Sequence, residues 1–328
     1  MNKRMTALVL ALVLMMTGLS WAMAEDLQDI ERPPAFTGWP QTDEQGYLQP
    51  GVVAGDEFLH EDAEQGVWIY LSPTLRVEVN RLKAKTKHGK LIWLEAEVKS
   101  REAVFRAYSD NPDRPRAGLE YPQLIARKHR VVLGISGDYF NFRIGSKIPL
   151  GVIVRNGKTI SSHTYAQRVQ GQPPLDELSL YADGRMEVRH PREMSSQEYL
   201  ERGALDVLAF GPILLRDGEV DDRLFKRFQG QEPRVSVGMI EPGHYIAITV
   251  EGRHKRSVGA DCLFMAQRMK ALGATTAFTL DGGQTTCMVF MGTVINEPGE
   301  FNGAKFVRKQ PDILGIGLSE LVRTDKKR

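Results

Sequence analysis

Four short stretches carry the side chains with which this chain could do chemistry. Ser136-Gly137-Asp138-Tyr139-Phe140-Asn141 offers a carboxylate and an amide, and Phe210-Gly211-Pro212 is a rigid bend. Pro233-Arg234-Val235-Ser236-Val237-Gly238 sets a guanidinium at the head of an apolar alternation. Leu280-Asp281-Gly282-Gly283-Gln284-Thr285-Thr286 places an acid at the end of an apolar run, with two glycines and two hydroxyls after it. Carboxylates act as acids, bases or nucleophiles. Glycine gives backbone that a ligand can approach closely. Each stretch also has a purely structural reading. Asp138 reads as a turn cap, and Arg234 as a surface charge or the start of a buried strand. Asp281 reads as the end of a strand in an Asx-turn whose bend needs the glycines. The chain has no G-x-S-x-G elbow and no H-E-x-x-H helix. Its seven histidines show no zinc spacing. Asp138, Asn141 and Asp281 are hard oxygen donors of the kind Ca²⁺ or Mg²⁺ takes, and the metal is left unassigned.

The elements that would position these stretches are mostly strands. Val67–Tyr70, the alternating Leu75–Val79, and Leu91–Val98 read as strands, the last two flanking a His88-Gly89 turn. Lys83, Lys85, Lys87 and Lys90 surround that turn and read as a solvated hairpin tip rather than a grip on an anionic polymer. Asn156-Gly157, Asp183-Gly184 and Asp217-Gly218 each separate or end an apolar run, as tight hairpins require. Val131–Ile135, Tyr245–Val250 and Thr275–Leu280 complete the expected strands. The clearest helix spans about 259–272. Cys262, Met265, Ala266, Met269 and Leu272 share one face, and Gly273 ends it. Tyr121–Lys128 and Ser195–Arg202 are shorter candidates. The expected class is α+β: a strand-rich, mixed but mainly antiparallel sheet with a few flanking helices, in one catalytic-type domain over 66–320.

The ends differ from this body. Lys3 and Arg4 precede an apolar run from Met5 to Met16, and Ala22-Met23-Ala24 supplies a small-residue cleavage site. Residues 1–24 therefore read as a secretory signal peptide rather than an uncleaved anchor, since the run is short for a span. That places the mature protein in the periplasm or outside the cell, with no stable membrane insertion after cleavage. Residues 25–65 form an acidic, proline-containing leader, and 321–328 a basic tail. The formal net charge of +2 gives no global field toward nucleic acid. Cys262 and Cys287 are the two cysteines. Export would let them pair, and the plain alternative is two buried small hydrophobes.

The four stretches and their order resemble the phosphodiester glycosidase family, the N-acetylglucosamine-1-phosphodiester alpha-N-acetylglucosaminidase-like enzymes. The resemblance also rests on Pro149-Leu150-Gly151 with Gly157, Glu251-Gly252-Arg253, Leu272-Gly273 and Val294-Ile295-Asn296-Glu297-Pro298. It runs through roughly residues 66–318. Four features depart from the family pattern. Ser136 stands where Asn is usual, and Glu251 where Asp is usual. Val235 replaces a hydroxyl residue, and Gln284-Thr285-Thr286 replaces a Gly/Ser-rich run.

The resemblance implies a hydrolase that breaks the sugar C1–O bond of a sugar-1-phosphodiester, GlcNAc among the candidate sugars, in envelope or exopolysaccharide metabolism. The transition state is oxocarbenium-like. A departing phosphate needs charge stabilisation more than a proton, and an arginine fork supplies it. On that reading Asp281 and Asp138 are the carboxylates and Arg234 is the phosphate clamp. Gly282, Gly283, Thr285 and Thr286 form a polar cradle, and Asn141 and Arg253 help position the substrate. The competing class is a non-catalytic envelope protein that binds glycans on the same fold, motivated by Ser136 and Gln284.

Overall fold

The computed structural model describes residues 29–113, 118–139, 151–163 and 175–324. The expected signal peptide, Asn141, Pro149-Leu150 and residues 325–328 lie outside these. The frame is a nine-stranded sheet. In spatial order its strands are Phe58–Asp62, Val67–Leu71, Leu75–Thr86, Gly89–Ser100, His244–Val250, Arg234–Glu241, Thr276–Leu280, Ile213–Arg216 and Glu219–Val220. Two five-stranded sheets accompany it. One contains Met186–Arg189, Asp176–Tyr181, Ala204–Phe210, Gly151–Arg155 and Lys158–His163. The other contains Thr293–Val294, Met288–Phe290, Val131–Ser136, Asp312–Leu318 and Phe105–Tyr108. Every ladder between these strands is antiparallel.

The alternation of Leu75–Thr86 shows how sequence sets the layers. Val77 and Val79 fall on one face of the long sheet and join the largest core cluster. That cluster also takes Val235, Val237 and Phe278 from the long sheet, Leu178 and Leu208 from one small sheet, and Ile135, Met288 and Leu314 from the other. Both small sheets thus pack face to face on one side of the large one. The opposite face carries the helix Cys262–Ala271, whose Cys262, Met265, Ala266 and Met269 bury against Trp93, Ile248 and Ala277. Pro122–Lys128 and Ser196–Glu201 cover the outer faces of the two small sheets.

The main helix is shorter at its start than its apolar periodicity predicts. Asp261 is the N-cap, and its carboxylate accepts from the Phe264 N–H at 2.8 Å. Gly259 sits before it at φ +95°, packed on the Glu232 backbone, so the chain there is not helical. Arg268 of this helix and Glu95 of the sheet form a buried ion pair, and the Trp93 indole N–H donates to the same carboxylate at 2.7 Å. At the hairpins, Asn156 and Gly157 both take positive φ, as do Asp217 and Gly218. Around Asp183-Gly184 only the glycine does, and the loop is longer, spanning 182–185.

The described part of the leader runs along the edge of the long sheet. Glu31 bridges to Lys83, and Phe36, Trp39 and Val53 pack on the cluster of Leu48, Val67, Ile69 and Leu71. At the other end, Val322 is buried in the main core. Cys262 and Cys287 are free and buried in separate clusters. No helix among the described residues is long and apolar enough to cross a membrane.

Candidate active site

The Asp281 loop begins where Thr276–Leu280 ends, and three neighbouring segments hold it. The Asp281 N–H donates to the Gly137 carbonyl at 3.3 Å, which seats it beside the Ser136-Gly137-Asp138 turn. The Gly283 N–H donates to the Pro233 carbonyl at 2.9 Å. A Cβ on Gly282 would stand 2.8 Å from that same oxygen, so only glycine fits. Gly283 has φ +61°, and the Arg253 guanidinium lies 3.3–3.6 Å from where its Cβ would be.

Ser136 ties the two carboxylate loops together. Its hydroxyl donates to the Thr285 carbonyl at 2.8 Å and accepts from the Cys287 N–H at 3.1 Å. Gln284 is also structural. Its amide nitrogen donates to the Gly299 carbonyl at 2.9 Å and the Phe306 carbonyl at 2.6 Å, bracing the Glu300–Lys305 segment against the loop. The Thr285 hydroxyl donates to the Gly282 carbonyl at 2.6 Å and also lies against the Asp281 carboxyl. The Thr286 hydroxyl is buried and has no hydrogen-bond partner among the described residues. It is the one cradle hydroxyl left for a ligand.

Asp281 is buried, and burial is the main reason its carboxyl is pushed up to about 7. The negative charge of Asp138 adds to the rise, while the Thr285 hydroxyl, the Arg308 guanidinium and the Gly282 N–H oppose it. The two carboxylates foreseen in the sequence therefore sit close enough to feel each other. Asp138 is held from several sides. Its N–H donates to Asp312 Oδ1 at 2.9 Å, its Oδ1 accepts from the Ala209 N–H at 3.3 Å, and Arg106 Nη2 lies 3.6 Å from its Oδ2. Arg106 also pairs with Asp312, and a Cβ on Gly137 would collide with that carboxylate.

Arg234 is placed differently from the other two predicted catalytic residues. Its strand neighbour Val235 pairs with Leu280, so its backbone runs beside the loop. Its guanidinium donates to the Ala260 carbonyl (3.2 Å) and the Gly230 carbonyl (3.0 Å), and among the described residues none of its hydrogen bonds reaches Asp138 or Asp281. Arg253 and Arg308 are the cations at the loop. Arg253 has φ +58° and donates to Glu232 at 2.7 Å. The Arg308 N–H donates to the Gln284 carbonyl at 2.7 Å, and its guanidinium has no bonded partner among the described residues. No local motif in the sequence marks Arg106, Arg308 or Asp312: Arg106 lies inside Phe105–Tyr108 and Asp312 opens Asp312–Leu318. The Phe210-Gly211-Pro212 bend serves the scaffold. Asp176 accepts from the Ile213 N–H at 2.9 Å and pairs with Arg223 directly beneath Gly211.

Two buried carboxylates, Asp138 and Asp281, thus meet on converging loops of strand-rich layers, with Arg106, Arg253 and Arg308 around them. The phosphodiester glycosidase family model matches residues 129–317, more than half of the chain, and the chain belongs to that family. Its fold is similar to the catalytic domain of zebrafish N-acetylglucosamine-1-phosphodiester alpha-N-acetylglucosaminidase (TM-score 0.58, 19% identity, 89% of this chain and 98% of that one). It is also similar to a hypothetical protein from Synechocystis (TM-score 0.50, 13% identity, 74% of this chain and 62% of that one). Among curated proteins it resembles the SPbeta prophage-derived uncharacterized protein YomE of Bacillus subtilis (strain 168), at 26% identity over 175 residues. That match covers 52% of this chain and 26% of the relative.

Proposed function

We propose that this chain hydrolyses the glycosidic C1–O bond of a sugar-1-phosphodiester. The observation that carries the reading is the Asp281 carboxyl, buried and lifted to about 7, on a glycine loop against which Arg253 rests. A carboxyl with that pKa exchanges protons near neutrality, where an acid–base group is most effective. Asp281 in its ionised form attacks C1 or takes the proton of an attacking water. Arg253 and Arg308 face the phosphodiester and stabilise the charge that gathers as the phosphate monoester leaves. Arg234 holds the Gly230 and Ala260 backbone beside them. The Gly282 backbone and the Thr286 hydroxyl approach the substrate, and Asp138 sets the charge at Asp281 and binds a sugar hydroxyl.

The zebrafish relative is named for GlcNAc-1-phosphodiesters, which makes GlcNAc the first sugar to try. With residues 1–24 read as a signal peptide, the substrate belongs to the envelope or an exopolysaccharide, met in the periplasm or outside the cell. The departures at Ser136 and Gln284 brace loops rather than replace reacting groups, which supports turnover over binding alone. The test is release of free sugar from a panel of sugar-1-phosphodiesters, with EDTA as a parallel arm because Asp138 and Asp281 are oxygen donors. Intact substrate across the panel would overturn the reading.

A further inference from the structure

Behind the Arg253 turn lies a second constellation that the hydrolysis does not use. Glu251 follows the strand His244–Val250, and Glu251 and His254 have side chains only 2% and 3% exposed. Neither ring nitrogen of His254 has a hydrogen-bond partner among the described residues. A buried imidazole with both nitrogens unpaired is rare, because each has lost water without replacement. Its Nε2 points at Glu251 Oε2, 3.7 Å away. Glu251 Oε1 accepts the Glu297 N–H at 2.8 Å and pairs with Arg81 at 3.4 Å. The Glu297 carboxylate completes the group, with one ligand atom from each residue within 4.8 Å of the others.

We infer that Glu251, His254 and Glu297 form a binding site for a zinc-type divalent cation, which fixes the Glu251-Gly252-Arg253 turn. One imidazole with two carboxylates suits a first-row transition ion rather than Ca²⁺ or Mg²⁺. Ligands about 2.0–2.2 Å from one ion lie roughly 3–4 Å apart, close to the spacing already present. Arg256 and Lys305 pair with Glu297 in the ion-free chain. Both reach it from solvent, with 69% and 48% of their side chains exposed, and they swing outward when the ion enters. The other histidine–carboxylate group, Asp176, His190 and Asp221, is already filled. Arg223 pairs with both acids, and His190 Nδ1 lies 3.3 Å from Asp176 Oδ1. Glu251 and His254 stand three residues apart in a turn, with Glu297 distant in sequence, so no zinc-finger spacing announces them. Because Arg253 lies between the two ligands and rests on Gly283, the ion acts on the site through the backbone.

The test is Zn²⁺ binding to the full untagged chain after chelator treatment, followed by calorimetry and elemental analysis, with Co²⁺ absorption as a spectroscopic probe. One ion per chain is expected. His254→Gln should weaken binding by roughly tenfold or more, and His190→Gln should leave it unchanged. If His254→Gln does not fold by circular dichroism, Glu297→Gln carries the same expectation. Absence of a bound ion, or affinity unaltered in the folded His254 or Glu297 variant, overturns the assignment.

Discussion

Replacing Asp281 with asparagine should make this protein more stable, and the gain should depend on pH. Burial and the charge of Asp138 raise the Asp281 carboxyl from 3.8 to about 7. The folded chain then holds a proton that the unfolded chain releases between those values. Stability therefore falls as pH climbs from the unfolded pKa through the folded one. A rise of about 3 units at ~1.36 kcal/mol each puts the cost near 4 kcal/mol once the group is fully ionised, and below 1 kcal/mol at about pH 4. Asparagine keeps the shape and avoids the buried charge. Urea unfolding of both proteins at about pH 4, 6 and 8 should show curves that nearly coincide in acid, with the variant ahead by roughly 2–4 kcal/mol at the alkaline end. A difference that does not change with pH, or a variant less stable at pH 8, would refute the claim that Asp281 is held ionised at a cost. A residue that destabilises its own fold is the pattern expected of a group kept for chemistry.

Other substitutions probe the rest of the account. Arg308→Met removes a cation that lowers the Asp281 pKa, so the acid limb of the rate profile should move to higher pH and KM should rise; a limb that stays put would separate Arg308 from the site. Gly282→Ala drives a Cβ to 2.8 Å from the Pro233 carbonyl, and kcat/KM should drop at least tenfold as the loop shifts by ~1 Å. Full activity there would mean the loop gives way freely. Arg268→Met strands the Glu95 carboxylate under the main helix and should cost about 3–5 kcal/mol in urea unfolding, with Glu95→Gln added to it restoring part of the loss.

The strands that the sequence shows most clearly are those with one wet face. Leu75–Val79 alternates because Leu75, Val77 and Val79 meet the core while Arg76 and Glu78 keep partial access to solvent, so its period is visible. Asp312–Leu318 and Ala204–Phe210 are buried on both faces over most of their length, so a wet–dry alternation does not mark them in the sequence. The same limit applies to the site. Asp281 and Asp138 stand at strand ends beside glycine, a local signal. Arg308 and Asp312 reach them only through the folding of distant segments. Arg234 shows the converse: its position at a strand head was legible, but the direction of its guanidinium depends on the Gly230 and Ala260 carbonyls. Ser136 and Gln284 looked like departures in the reacting groups because sequence shows the side chain without its partners.

The central claim is that the buried Asp281 carboxyl drives cleavage of a sugar-1-phosphodiester. The most direct measurement is free sugar released from a GlcNAc-1-phosphodiester across pH, for the wild-type chain and Asp281→Asn side by side. The account predicts turnover that rises through about pH 7 in the wild type and is lost in the folded variant. A folded Asp281→Asn protein that releases sugar at the wild-type rate would contradict it.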